Sequence, residues 1–338
     1  MTIITQYKEF VKNINYNFII SCYNRRELLW NPYPMGNNKN GEVRKDKKMR
    51  SDNWVVRIWK LIYPLLLYFV ITQIVVSVAA FVIGFVFGLS DKISSSDIVY
   101  EVSNAINYNI ALMTFLAALA TIPFCIWFYR KDTKRICVPK LRLGVKHWIL
   151  IIVFGASACL ALNNLISFSG LIEMFSEEYE EMSNALYSES IVVQVLTMVI
   201  AAPVLEELIF RGLIFKRLRT YTRFIPAAMI SAAIFGIYHG YVVQGIYAFC
   251  LGFLMCLVYE RTHTIIGPMV FHAAANAISV LFTSSETLGV FLSTVFGMIT
   301  VTFISIVLMI LCILLINGPM KPKEGEHSET VVNRNTVL

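Results

Sequence analysis

Eight long apolar runs constrain this chain more than any other feature. A helix needs about 20 apolar residues to cross a bilayer. Runs of that order fall at roughly 61–88, 108–129, 147–168, 191–215, 225–242, 244–259, 264–282 and 288–316. They are continuous rather than alternating, which argues for helices and against a membrane β-barrel. The expected architecture is therefore all-α: a polytopic membrane protein of about eight transmembrane helices. The fifth and sixth runs are short and separated by little more than Gly240 to Gly245. They read either as two spans or as one broken, partly re-entrant element.

Composition agrees. Only 15% of the residues are charged and 57% are hydrophobic, against about 25% charged in a soluble domain. The seven cysteines form no CxxC pair and most lie in apolar runs. There they act as small hydrophobes rather than as a disulfide framework or thiolate metal site.

The net charge of +7 is not read as a nucleic-acid footprint, because the cations fall where a membrane places them. Of the 29 Lys and Arg, 27 lie in residues 1–60, 130–146, 216–223, at Arg261 or in the tail. Segment 169–190 holds Glu173, Glu177, Glu178, Glu180, Glu181 and Glu189 and no cation. Cytoplasmic loops are the Lys/Arg-rich ones. The expected topology is multi-pass, with both termini cytoplasmic and 169–190 outside, in the cell membrane.

Five segments follow. Residues 1–54 form a basic cytoplasmic head. In it Ile3, Tyr7, Phe10, Ile14 and Phe18 keep a helical period, and 31–52 read as a linker. That amphipathic helix suits either a membrane surface or a protein surface. Residues 55–168 carry spans one to three, 190–282 spans four to seven and 288–316 the last span. Residues 317–338 form a polar cytoplasmic tail.

Three polar constellations interrupt the apolar runs: Glu206-Glu207-x-x-x-Arg211, Phe235-x-x-x-His239 and His272-x-x-x-Asn276. A charge at mid-membrane costs on the order of 3 kcal/mol on the insertion scale. A single membrane histidine is ordinarily a hydrogen bond between helices. Two histidines with a Glu-Glu-Arg set point instead to a site. Glu207 and Arg211 are i,i+4 on one helix face, while Glu206 is turned about 100° away. Arg211 is thus expected to neutralise Glu207 and leave Glu206 free. His272 and Asn276 leave one face of their helix together. Phe235, one turn before His239, reads as a packing wall.

A desolvated carboxylate suits a general base for water, and a histidine opposite it can position the same water. An Asn amide and a second His can donate to a developing oxyanion. That is a hydrolase site for an amide bond without a nucleophilic Ser or Cys. Zinc competes, since two His and one Glu form a known ligand set. On this reading Glu206, His239 and His272 would hold the metal, although no HExxH motif is present.

The three motifs, in this order and on separate runs, resemble the CAAX-processing and bacteriocin-processing (CPBP, Abi) family of intramembrane proteases over roughly residues 190–280. The resemblance implies an eight-helix core and a site open toward the cytoplasmic side. It implies Glu206 as water-activating base, His239 as its partner, and His272 and Asn276 as oxyanion donors. Glu207 and Arg211 would hold the site in shape. Family members are described as metalloproteases and as glutamate-dependent proteases. The latter fits better, because the motifs already supply base and oxyanion donors, so no cofactor is expected and Zn2+ is the alternative. The best-known substrates of the family are prenylated proteins cut near a C-terminal cysteine, while other members process peptides or serve in bacteriocin immunity. The partners implied are the lipid bilayer and a membrane-associated peptide or protein, with no nucleic acid.

Two other readings stand beside this one. A non-catalytic scaffold, or an immunity or regulatory protein of the same fold, would be expected to have lost one of the costly residues. A transporter using Glu206 and His239 as a proton relay would show paired halves, and no internal repeat is present.

Overall fold

A computed structural model describes residues 53–89, 97–136, 141, 143–285 and 294–316. The expected amphipathic helix and linker of residues 1–52 and the tail from 317 lie outside the described residues. The protein is an all-α polytopic membrane protein. Among the described residues, seven helices are long and apolar enough to cross a membrane, and one apolar helix is shorter.

In chain order, α1 (Trp54–Gly88) starts earlier than the expected 61. The amphipathic α2 (Ile98–Tyr108) precedes α3 (Ile110–Thr133) and α4 (Val145–Phe168). Two short helices, α5 (Leu171–Met174) and α6 (Ser176–Tyr187), carry the acidic segment. Then come α7 (Ile191–Tyr221), α8 (Phe224–Tyr238), α9 (Val242–Thr262), α10 (Ile266–Ser284) and α11 (Val295–Ile316).

The short fifth element resolves as α8, 15 residues long. At 1.5 Å per residue that is about 22 Å, less than the ~30 Å hydrocarbon core. It forms a tight hairpin with α9. A Cβ on Gly236 would stand 2.7 Å from the Gly245 carbonyl oxygen, and one on Gly252 would stand 3.3 Å from the Ala232 Cα. Glycine is what lets these two backbones meet. Gly240, at φ +78°, makes the turn just after His239.

Helix α7 runs six residues past the expected end at 215. Lys216, Arg217 and Arg219, read from sequence as loop cations, are helical and buried. Arg217 donates to Asp132 at 2.6 Å, to the Tyr63 hydroxyl at 2.6 Å and to the Lys60 carbonyl. Arg219 grips both oxygens of Glu260, at 2.8 and 3.1 Å. The acids stand 85 and 41 residues away in sequence, so the pairing leaves no local pattern. These contacts tie α1, α3, α7 and α9 together at one end of the bundle, the cationic end.

The opposite end is acidic. Glu189 accepts the N–H groups of Ala111 and Leu112 at the start of α3. Glu178 on α6 accepts the N–H of Val242 at the start of α9. The Asn164 amide near the end of α4 reaches the Met298 carbonyl near the start of α11. Between the ends, α4 and α10 cross in contact: a Cβ on Gly155 would meet the Phe271 carbonyl oxygen at 2.2 Å. Phe154 and Phe271 stack edge-on at 5.0 Å beside that crossing. This contact fixes the depth of His272, the next residue on α10.

Candidate active site

Helix α7 changes its winding around the two glutamates. Val195–Ala201 and Leu208–Phe215 are π-helical, while Ala202–Glu207 between them is regular. Such wide turns are rare and concentrate at functional sites. For the first of them Pro203 supplies a reason, since proline has no N–H to close an i→i−4 bond and its ring crowds the carbonyl one turn back. The consequence falls on Met198. The Ala202 N–H goes to Thr197, and Pro203, five residues after Met198, has no N–H to give. The Met198 carbonyl is filled instead from α10, by Asn276 Nδ2 at 2.7 Å. In the second wide turn the Phe210 carbonyl accepts from Ser231 on α8 at 3.1 Å.

The two glutamates diverge. Glu207 is wholly buried, and its Oε1 accepts from Arg211 Nη1 at 2.7 Å and from His272 Nδ1 at 3.0 Å. Arg211, also wholly buried, donates from Nη2 to the Gly252 carbonyl at 2.9 Å. A Cβ on Gly252 would come within 3.0 Å of that Nη2, so glycine admits the guanidinium. Glu206 retains 13% exposure, and its Oε2 lies 3.9 Å from His272 Nε2. His272 thus stands between the two carboxylates, one nitrogen toward each.

Phe235 is the wall behind both histidines. Its ring meets His239 edge-on at 4.6 Å and His272 at 5.9 Å, with the Arg211 guanidinium over its face at 4.5 Å. His239 Nδ1 lies 2.7 Å from the Phe235 carbonyl oxygen. A carbonyl only accepts, so Nδ1 carries a proton, and in the neutral imidazole Nε2 presents its lone pair.

All of Glu206, Phe235, His239, His272 and Asn276 line one cavity of about 700 Å3, while Glu207 and Arg211 stand behind its wall. Its remaining surface comes mainly from the acidic half of the bundle: Asn163 and Asn164 of α4, Tyr179 and Ser183 of α6, and Thr283 of α10.

Residues 188–278 match the Rce1-like family model, described as type II CAAX prenyl endopeptidase. This is the family that the three motifs resemble. The Rce1-like segment contains every candidate residue, from Glu206 to Asn276. A relative in Bacillus subtilis (strain 168), named "Putative membrane peptidase YdiL", is 33% identical over 93 residues. That match covers 28% of this chain and 38% of the relative, so the chain spans well under half of the curated protein it matches. No solved structure matches the chain significantly.

Within the Rce1-like segment, the alternative zinc set of Glu206, His239 and His272 faces the one cavity. Among the described residues, however, no group of three or more His, Cys, Asp or Glu side chains is disposed to hold a metal ion. The His272 to Glu206 contact is close enough for a charge pair.

Sequence reasoning missed three parts of the Rce1-like segment: the Gly252 carbonyl that receives Arg211, the freed Met198 carbonyl, and Tyr238 and Tyr247 on the cavity wall. Pro203, two residues before Leu205 inside an apolar helix, was the available signal for the second.

Proposed function

We propose that this chain is an intramembrane endopeptidase in which Glu206 activates water against a peptide bond of a membrane-associated substrate. One observation carries the reading: Glu206, His239, His272 and Asn276, from three helices, line one cavity, while Glu207 is sequestered by Arg211. The match to a peptidase family supports it.

The chemistry follows from the hydrogen bonds. A water between Glu206 and His239 finds two acceptors, the carboxylate and the free Nε2. Glu206 takes one proton as the water oxygen bonds to the scissile carbonyl carbon, and the carbonyl oxygen becomes an oxyanion. Asn276 spends one amide N–H on Met198 and keeps its second for that oxyanion. His272 donates from Nε2 once it is an imidazolium, its Nδ1–H being committed to Glu207. With His272 charged, Glu206, Glu207, Arg211 and His272 sum to zero, which suits a buried cluster. When the tetrahedral intermediate collapses, the C–N bond breaks and Glu206 returns its proton to the departing amine. The products are a carboxylic acid and an amine, and the second water proton then passes from acid to amine to leave a carboxylate and an ammonium; no step needs a metal.

The test is cleavage by the purified protein in liposomes, offered a library of peptides each anchored by one apolar helix. Mass spectrometry should find new C-termini and N-termini at a defined bond. Intact peptides throughout, with a folded protein, would oppose the reading.

A further inference from the structure

We infer that the cavity takes its substrate from the non-cytoplasmic face, so that its substrate class is a polypeptide segment presented in or above the outer leaflet. This rests on the peptidase reading of the cavity for the word substrate, but the side of access stands on separate observations.

The first is which half of the bundle builds the cavity. Asn163, Asn164 and Ser167 lie in the last two turns of α4, and Phe282 and Thr283 in the last turn of α10. Val243 and Gln244 open α9, and Thr114 and Thr197 lie in the first halves of α3 and α7. Successive helices run in opposite directions, so these alternating starts and ends fall at one end of the bundle. Glu189 and Glu178 tie α3 and α9 together at that same end. None of the cavity residues comes from the Asp132–Arg217 or Glu260–Arg219 pairs that close the cationic end.

The second observation is the mouth. Most of the lining is buried or half-buried, but Asn163 and Thr283 are exposed. Both are polar and lie in the acidic half of their helices. Helix α6 arches beside them, with Met182 buried and Tyr179, Ser183 and Tyr187 on the cavity wall. Its outer surface carries the exposed Glu177, Glu180 and Glu181.

The third is the charge of the two ends. Twenty-seven of the 29 Lys and Arg lie in residues 1–60, 130–146, 216–223, at Arg261 or in the tail, and residues 169–190 carry six acids and no cation. Retention of Lys and Arg on the cytoplasmic side sets the acidic end outside, and the mouth with it. The cytoplasmic opening implied by the family resemblance and the orientation implied by charge cannot both hold for this cavity. With the mouth at the acidic end, the charge pattern favours the exterior.

The test is thiol labelling in intact cells with a membrane-impermeant maleimide, measured above the wild-type background. Thr283→Cys and Asn163→Cys, on the adjacent ends of α10 and α4 at the mouth, should label without permeabilisation. Lys134→Cys, at the cationic end, should label only after it. The reverse pattern would overturn the inference, as would mouth positions that react only after permeabilisation. Two mouth variants guard against one failing to fold. A second arm offers a helix-anchored peptide to right-side-out and inside-out vesicles. Cleavage at least ten-fold faster in the right-side-out preparation is expected, and the opposite preference would overturn the inference. Absence of cleavage in both, with external labelling intact, would refute the peptidase reading and leave the side of access standing.

Discussion

Asn276 donates its amide N–H to the Met198 carbonyl at 2.7 Å across the α7–α10 contact. The carbonyl is free because the residue five positions on is Pro203. This links a helix-breaking residue in α7 to the orientation of a proposed oxyanion donor in α10. Pro203→Ala should restore an N–H that competes for Met198. Turnover should fall at least ten-fold, with kcat more affected than KM, while thermal stability holds or rises. An equally active Pro203→Ala enzyme would show that Asn276 keeps its pose without the freed carbonyl.

His272 and Asn276 should behave as two donors to one oxygen. Loss of one such donor costs about 10²–10³ in rate. His272→Ala and Asn276→Ala are each expected to lower kcat by that order with little change in KM, and the double variant by less than the product. His272→Gln restores a neutral donor but not the charge, and should recover only part of the loss. A full recovery would show that the imidazolium is not needed.

The Glu207–Arg211 pair is expected to act as a stability element. Removing one partner of a buried ion pair costs about 3–5 kcal/mol, and Arg211 also holds the Gly252 carbonyl. Arg211→Ala should lower the melting temperature or the folded yield, besides slowing turnover. A variant with wild-type stability and no activity would make Arg211 a direct contact of the substrate.

These residues also show what was legible in the sequence. The spans were readable because apolar length is a local property. The i,i+4 spacing of Glu207 and Arg211 likewise announced their pair, found at 2.7 Å. The buried pairs of Arg217 and Arg219 were not readable. Their partners Asp132 and Glu260 sit on other helices, and a cationic stretch after an apolar run looks the same whether solvated or paired. The contact of Gly155 with Phe271 was hidden for a similar reason, since a lone glycine does not say which backbone it meets. Of the two wide turns of α7, the first had a local signal in Pro203, whereas the partners that fill the Met198 and Phe210 carbonyls, Asn276 and Ser231, lie on other helices and left no local pattern.

Gly155 offers a test of that packing. A side chain there must displace the α10 backbone next to His272, and overpacking of this kind typically costs about 1–3 kcal/mol. Gly155→Val should lower stability in detergent and reduce turnover together. Unchanged stability and turnover would mean that α4 and α10 do not cross in contact at this point.

Metal dependence is separable from all of these. Protein prepared without a His tag and dialysed against chelator should retain its activity with negligible bound zinc. About one zinc per chain, lost with activity and restored by adding it back, would replace the water-activation scheme with a metal centre.

The most direct measurement is the single-turnover cleavage rate of Glu206→Gln beside the wild-type enzyme, in the same liposomes and on the same anchored peptide. Glutamine keeps the size and hydrogen bonding of Glu206 but cannot take a proton from water. The expected result is a folded, membrane-inserted protein whose rate falls at least a thousand-fold. A Glu206→Gln enzyme that cleaves within ten-fold of wild type would contradict Glu206 as the base and, with it, the proposed mechanism.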